Sequence, residues 1–198
     1  MVRVGMSVEG TTEERFINAV LAPYLIAKNI HITPISMGGD VNIDKVKNEL
    51  KNIANSFDNV TTLYDFYGFK KKLEGESKAS LEKRIFDAAH ESIKSKLIPY
   101  IQMYEFEGLL FSCAEGMERG LNETGIKGWC QSILVKFDNN PEKINDSLET
   151  APSKRLEKET SYRKTTHGPN IAREIGIEKI REMCNGFNEW LTKLEKLS

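Results

Sequence analysis

The feature that most constrains this sequence is its first 25 residues, which predict a strand, a tight turn at Gly10 and a helix. Apolar and smaller or polar residues alternate over Val2–Val8, as in a pleated strand. Apolar residues then recur at helical spacing between positions 16 and 25, and Thr11 and Glu14 have the spacing of a capping box. A strand that leads through one turn into a helix is typical of the first unit of an α/β sheet.

Two glutamates lie where this strand passes into the helix. Glu9 ends the strand, and Glu13 falls in the first helical turn. Open α/β sheets build their binding sites at the carboxyl ends of strands, so both are candidate site residues. Glu13 has an ordinary alternative, because an acidic residue in a first turn complements the helix dipole. Glu9 is harder to explain without a cationic partner, because burying a charge is costly.

Further strands and helices alternate along the first half of the chain. Strands are predicted over 30–35, 60–64 and 98–104, and helices over 43–53 and 81–97. Pro34 places the second strand near a sheet edge. This order indicates an α/β fold class, with a mainly parallel four-stranded sheet flanked by helices.

Acidic residues follow three of the predicted strands. Glu9 follows the first, Asp65 the third, and Glu105 and Glu107 the fourth. In a parallel sheet these strand ends meet at one rim, with Glu13 beside them. Crowded carboxylates repel one another unless a cation neutralises them, and oxygen ligands suit Mg²⁺ or Mn²⁺. These five residues are therefore predicted metal ligands for phosphoryl-transfer chemistry.

The chain changes character after about Cys113. Residues 113–198 are predicted to form a helical C-terminal extension that packs on an α/β domain of residues 1–112, with one candidate strand at 133–135. A helix is expected to start at Pro152 and another to break at Gly168-Pro169. We expect this extension to complete the active site.

Basic residues of the extension are candidate phosphate contacts. Lys154 and Arg155 are predicted catalytic cations within a basic run that ends at Lys164, and Lys70–Lys72 is a second patch. His167 is a candidate phosphate contact or proton shuttle. The ordinary alternative is that such runs are solvated faces and that a lone histidine has no catalytic role.

Composition narrows the classes of protein that fit. The net charge of -1 argues against a protein that coats nucleic acid by charge alone. No apolar run is long enough to span a membrane, and a cytoplasmic protein is expected. The three cysteines are widely spaced, which favours reduced structural thiols over a disulfide or zinc site, while a catalytic cysteine stays open.

The chain resembles the Toprim superfamily over about residues 1–112. More closely, over nearly its whole length, it resembles a small bacterial family of unknown function in the Toprim clan, related to the overcoming-lysogenization-defect nucleases. The stretches that carry this resemblance are 8–13, 63–68, 104–111, 144–156, 167–169 and 187–191.

The resemblance implies that Glu9 is the motif glutamate and Asp65 the first acid of an Asp-x-Asp motif. Tyr67 stands where the second acid is expected, so Glu13, Glu105 or Glu107 would have to replace it. The nuclease branch uses a Glu-x-x-x-Glu pattern, which Glu9 and Glu13 reproduce. Its members often work with an ABC-type ATPase in anti-phage defence. The chain has no phosphate loop, so any ATPase would be a separate subunit.

Three functions compete at this point. The leading hypothesis is a Mg²⁺- or Mn²⁺-dependent nuclease that cleaves DNA, with RNA as the less favoured substrate and a homodimer as one expected assembly. The second is a non-catalytic Toprim-like module that docks on an ATPase or on nucleic acid, favoured by Tyr67. The third is a small-molecule phosphohydrolase with the same metal chemistry.

Overall fold

The computed structural model describes all residues, Met1–Ser198, and contains a parallel sheet flanked by helices. The strands are β1 (Val2–Val8), β2 (Ile30–Ser36), β3 (Asn59–Asp65), β4 (Leu97–Ile98) and β5 (Ile101–Gln102). The order is β2-β1-β3-β4, with β5 also paired to β3, and every pair is parallel. The predicted α/β class is confirmed, and β2, which contains Pro34, is an edge strand.

The segment predicted as one strand over 98–104 forms two short strands instead, so the sheet has five strands. Pro99 falls in the break and has no N–H to donate to a ladder. The hydroxyl group of Thr62 replaces the missing pairing, since its oxygen accepts from the Tyr100 N–H and donates to the Tyr100 carbonyl, both at 2.8 Å. Side-chain hydrogen bonds from β3 thus hold the segment between β4 and β5 against the sheet where backbone pairing is interrupted.

The helices cover both faces of the sheet and the whole C-terminal part. They are α1 (Thr11–Phe16), α2 (Ala22–Ile26), α3 (Ile43–Ile53), α4 (Lys78–Ala88), α5 (Glu91–Lys94), α6 (Ala114–Leu121), α7 (Lys127–Lys136), α8 (Pro152–Glu159), α9 (Lys164–Ile175), α10 (Ile177–Met183) and α11 (Asn185–Glu195). A π-helical turn, Ile17–Leu21, joins α1 to α2. The helix predicted over 81–97 is wrong in its length, because extended backbone at Ala89 ends α4 and His90 caps α5.

Two predictions in the C-terminal part are wrong. Residues 133–135 lie in α7, where Cys130 and Leu134 are buried four residues apart and Val135 is 69% exposed. Gly168-Pro169 lies inside α9 and does not break it. Pro169 cannot donate to the carbonyl of Thr165, and the guanidinium of Arg15 donates to that carbonyl at 2.7 Å.

The C-terminal helices share the hydrophobic core with the sheet. One cluster of buried side chains runs from Val4 and Phe16 to Trp190 and Leu194. The Trp190 ring stacks on Tyr100 at 4.5 Å between centroids, and its indole N–H donates to the Thr61 hydroxyl at 2.9 Å. A domain boundary at residue 112 stays a prediction.

Two further expectations concern helices and thiols. None of the helices is long and apolar enough to cross a membrane. Cys113, Cys130 and Cys184 are all free, and burial raises the pKa of Cys130 and Cys184 to about 12. Such shifts disfavour the reactive thiolate at neutral pH.

Candidate active site

The acidic residues predicted from the sequence follow neighbouring strands. Val8 of β1 is in register with Leu63 of β3, and Asp65 at the end of β3 is in register with Gln102 of β5. All of these pairings are parallel, so the residues that follow β1, β3 and β5 emerge at the same edge of the sheet. We call the side chains of Glu9, Glu13, Asp65, Glu105 and Glu107 the acidic cluster.

Asp65 is the most firmly held member of the acidic cluster. Its side chain is buried, and its Oδ1 accepts a 2.7 Å hydrogen bond from the backbone N–H of Phe106. Burial raises the pKa of this carboxyl well above its usual 3.8, and the negative charges of Glu13 and Glu107 add to the effect. A carboxyl in this position needs a proton or a cation to be stable.

Glu107 is 1% exposed and lies in the first turn of a 3₁₀ helix, Phe106–Ser112. Its Oε1 accepts a hydrogen bond from the Tyr162 hydroxyl at 3.1 Å and lies 3.3 Å from the Lys164 ammonium. Its Oε2 is buried and has no hydrogen-bond partner. Burial raises the pKa of Glu107 to about 7, with Lys164 opposing the rise. An unpaired buried oxygen is a strong ligand candidate, because leaving it unpaired is costly.

Glu13 binds the turn that precedes its own helix. Its Oε2 accepts the Gly10 N–H at 3.0 Å, so the predicted capping box of Thr11 and Glu14 is wrong and Glu13 closes the turn. The helix begins one residue earlier than that spacing requires, because Gly10 is the cap. Burial raises the pKa of Glu13, and the negative charge of Glu9 adds to the rise.

Glu9 lies against the backbone of the loop after β3. A Cβ atom at Gly68 would stand 2.1 Å from Glu9 Oε2, so a side chain there would displace the carboxylate. This Oε2 atom is also buried and without a hydrogen-bond partner. Burial raises the pKa of Glu9, although the positive charges of Lys164 and Lys70 oppose the effect.

Glu105 connects the acidic cluster to the C-terminal part. The Glu105 side chain is half-buried, and its Oε2 accepts the backbone N–H of Ser153 at 2.9 Å. Ser153 lies in the first turn of α8, where the helix dipole favours a carboxylate.

Lys164 is the cation that the structure places in the acidic cluster. It begins α9 and forms an ion pair with Glu107. Burial lowers the pKa of Lys164, but the carboxylates of Glu107 and Asp65 outweigh this and raise it above its usual 10.5. Sequence reasoning included Lys164 only as the end of a basic run. The direction in which the Lys164 side chain points depends on α9 beginning at this residue. No local sequence pattern predicted that a helix begins there.

Lys154 and Arg155, the predicted catalytic cations, lie on α8. The Lys154 ammonium pairs with Glu157 at 2.8 Å, and the Arg155 guanidinium pairs with Asp146 at 2.9 Å. Neither forms a hydrogen bond or an ion pair with the acidic cluster. Both belong to the helix that was expected to start at Pro152.

His167 also lies in a helix, α9, directly before the Gly168-Pro169 pair that was expected to break it. Its Nδ1 accepts the backbone N–H of Arg163 at 3.1 Å, and its ring lies 6.4 Å from that of Tyr162. The hydrogen bond caps the first turn of α9. The imidazole makes no hydrogen bond to the acidic cluster, and its predicted catalytic role stays a prediction.

Tyr67 occupies the position where the resemblance expects a second motif acid. Its hydroxyl is hydrogen-bonded to the Asn145 amide, and its ring lies 5.3 Å from that of Tyr104. The position therefore supplies no carboxylate, and it contacts the segment before α8.

The donor set of the acidic cluster suits a hard divalent cation. Every candidate ligand is a carboxylate oxygen, and the two unpartnered oxygens belong to Glu9 and Glu107. As the side chains stand, however, no three His, Cys, Asp or Glu residues are arranged to hold a metal ion. Chemistry and charge fit Mg²⁺ or Mn²⁺, and binding would require carboxylates to turn toward a common point.

Comparison with solved structures finds similar folds in the C-terminal regions of OLD proteins. The region from Burkholderia pseudomallei is 15% identical, with 98% of this chain and 99% of that chain covered at a TM-score of 0.47. The region from Xanthomonas campestris pv. campestris is 15% identical, with 100% and 98% covered at a TM-score of 0.43. No curated protein matches the chain.

The chain also matches a protein-family model. The model of a family described as a domain of unknown function, DUF4276, matches residues 8–195. This span includes every member of the acidic cluster as well as Lys164. It confirms the expected membership of a family of unknown function over nearly the whole length, and the chain therefore belongs to the DUF4276 family.

Proposed function

We propose that this protein is a Mg²⁺- or Mn²⁺-dependent nuclease of Toprim type that hydrolyses phosphodiester bonds in DNA. The observation that supports this most is the acidic cluster itself. Carboxyls with raised pKa values lie at the carboxyl edge of a parallel sheet, and two of their oxygens are buried without a hydrogen-bond partner. A purely structural module has little reason to bear this cost, whereas a cation-binding site requires such oxygens.

Each member of the cluster has a proposed task. Asp65, oriented by the Phe106 N–H, and the free oxygens of Glu9 and Glu107 would hold the divalent ion. When bound, such an ion activates water and neutralises charge on the phosphate. Glu13 and Glu105 would either bind the ion as further ligands or hold the other ligands in position. Each already accepts a hydrogen bond from a backbone N–H group, which fixes its orientation.

Lys164 is the residue that we assign to the phosphate. Its side chain is 43% exposed, so the ammonium can leave Glu107 for a phosphate oxygen. A cation at this point stabilises the negative charge that develops during hydrolysis.

The biological setting is proposed from the Toprim resemblance. In this setting the protein is cytoplasmic and acts in anti-phage defence, with DNA favoured over RNA as the substrate. It forms a homodimer and works with a separate ABC-type ATPase subunit. The chemistry of the acidic cluster is compatible with each of these settings and depends on none of them.

Two observations favour a second candidate, a non-catalytic module that docks on an ATPase or on nucleic acid. Tyr67 replaces an expected acid and is tied to Asn145, and no three acidic side chains are arranged to hold an ion. A module that lost a ligand and kept its fold would have these properties.

The deciding experiment is cleavage of labelled DNA and RNA with Mg²⁺, with Mn²⁺ and with EDTA. We expect metal-dependent cleavage of DNA that slows by about 100-fold or more in Asp65→Asn, because the variant loses a ligand. Asp87→Asn, a change at an exposed carboxylate 56% accessible to solvent, is the matched control and should cut at the wild-type rate. If the wild-type protein cuts neither nucleic acid with either metal, the non-catalytic candidate is favoured.

A further inference from the structure

A cleft beside the acidic cluster combines an aromatic ring with basic side chains. It lies between α7 and α8, has a volume of about 250 Å³ and is lined by Trp129 and Ile133 on one side and by Lys154 and Lys158 on the other. Neither the metal chemistry nor the ion pair of Lys164 uses it. The basic residues that the sequence singled out as phosphate contacts lie here.

Trp129 is the aromatic surface of this cleft. Its ring packs on Phe111 at 5.7 Å between centroids, which fixes its orientation, and the residue stays partly exposed. The second tryptophan, Trp190, is only 2% exposed and stacked on Tyr100. Trp129 is thus the tryptophan that a ligand can reach from solvent.

The cations of the cleft are held weakly enough to exchange. Lys154 pairs with Glu157 at 2.8 Å, and Lys158, whose side chain is 82% exposed, lies 3.7 Å from Glu159. Exposed pairs of this kind contribute little stability, so a phosphate can replace the carboxylate. Arg155, Glu149 and Glu159 also line the cleft, and because Arg155 pairs with Asp146, Lys154 and Lys158 are the cations open to a phosphate.

The cleft begins next to the acidic cluster. Ser153, whose N–H binds Glu105, directly precedes Lys154 on α8. A nucleic-acid strand with a phosphate at the cluster could therefore place a neighbouring nucleotide in the cleft. A base can stack on an aromatic ring only when it has left the double helix.

We propose that this cleft binds a single-stranded segment of nucleic acid, with one base stacked on Trp129 and flanking phosphates on Lys154 and Lys158. The proposal rests on the proposed nuclease function and specifies its substrate as an unpaired or frayed strand. Stacking on an aromatic side chain tolerates any base, so the cleft selects unpaired strands and not a sequence.

Tryptophan fluorescence tests the cleft without cleavage. The probe is a single-stranded oligothymidylate of about ten nucleotides, titrated in EDTA, with a blunt duplex of the same length as comparison. We expect the single strand to quench Trp129 emission, with Trp190 as the unquenched background, and the duplex to quench it little. Equal quenching by the duplex, or none by either probe, would overturn the proposal.

Variants separate the cleft from general charge attraction. In anisotropy titrations with labelled oligothymidylate, Trp129→Leu and Lys154→Ala should each weaken binding by at least about 5-fold. Lys179→Ala is the matched control, because Lys179 forms the same kind of ion pair as Lys154, with a glutamate three residues later (Glu182, at 2.8 Å). Binding of the oligothymidylate should not change in this variant. Unchanged binding in Lys154→Ala refutes the cleft even if Trp129→Leu does not fold.

The experiments distinguish failure of the cleft proposal from failure of the nuclease proposal. Quenching without metal-dependent cleavage refutes the nuclease and retains a strand-binding cleft. Cleavage without quenching refutes the cleft and retains the nuclease.

Discussion

Replacing Glu107 by Gln should stabilise the metal-free protein at alkaline pH, although it removes an ion pair. Glu107 is 1% exposed, and its Oε2 is buried without a partner. Gln keeps the oxygen that accepts from the Tyr162 hydroxyl, and it removes the buried negative charge. The variant therefore imitates the protonated form of Glu107.

The magnitude follows from the pKa of Glu107. A carboxyl whose pKa is raised in the folded protein contributes its full stability below the unfolded pKa, and the contribution is lost as pH rises through the folded pKa. Burial raises the pKa of Glu107 from 4.5 to about 7. This difference corresponds to about 3 kcal/mol of unfolding free energy, lost by the wild type between about pH 4.5 and pH 7.

Urea unfolding in EDTA at several pH values measures the effect. At about pH 4 the variant and the wild type should be nearly equal, and at about pH 8 the variant should be more stable by up to about 3 kcal/mol. Glu182→Gln, at a side chain 64% exposed, is the control and should follow the wild type. A Glu107→Gln variant that is less stable than the wild type at alkaline pH would refute this reasoning.

Three other substitutions test separate parts of the structure. Gly68→Ala should slow cleavage by at least about 10-fold, because the added Cβ would meet the Glu9 carboxylate. Gly128→Ala is the control, because no atom lies within 4 Å of the Cβ added there, and it should cut at the wild-type rate in the same assay. Lys164→Ala should slow single-turnover cleavage by about 100-fold at saturating Mg²⁺, and a wild-type rate would remove Lys164 from the phosphate site. Trp190→Ala should lower the unfolding free energy by about 3–5 kcal/mol in one cooperative transition, and two separate transitions would show that the C-terminal helices fold apart from the sheet.

The sheet and its acidic edge could be predicted because their signals are local. Alternating and β-branched residues mark β1 and β3, and parallel pairing then brings Glu9 and Asp65 to one edge. The split of the fourth strand could not be predicted, because Pro99 alone does not reveal that the Thr62 hydroxyl bridges the break.

The cation of the site was harder to identify for a physical reason. Pro169 is locally typical of a helix break, but in the structure α9 continues through it and the distant Arg15 donates to the freed carbonyl of Thr165. Lys164, the first residue of that helix, is thereby placed against Glu107. Contacts between residues far apart in sequence therefore decide in which direction such side chains point.

Anomalous diffraction from crystals soaked in Mn²⁺ tests most directly whether the acidic cluster is a divalent-metal site. We predict a Mn²⁺ peak about 2.1 Å from oxygens of Asp65 and of Glu9 or Glu107, with the Lys164 ammonium displaced from Glu107. A fully soaked crystal with no peak among these carboxylates, and with the Lys164–Glu107 pair intact, would contradict the proposed function.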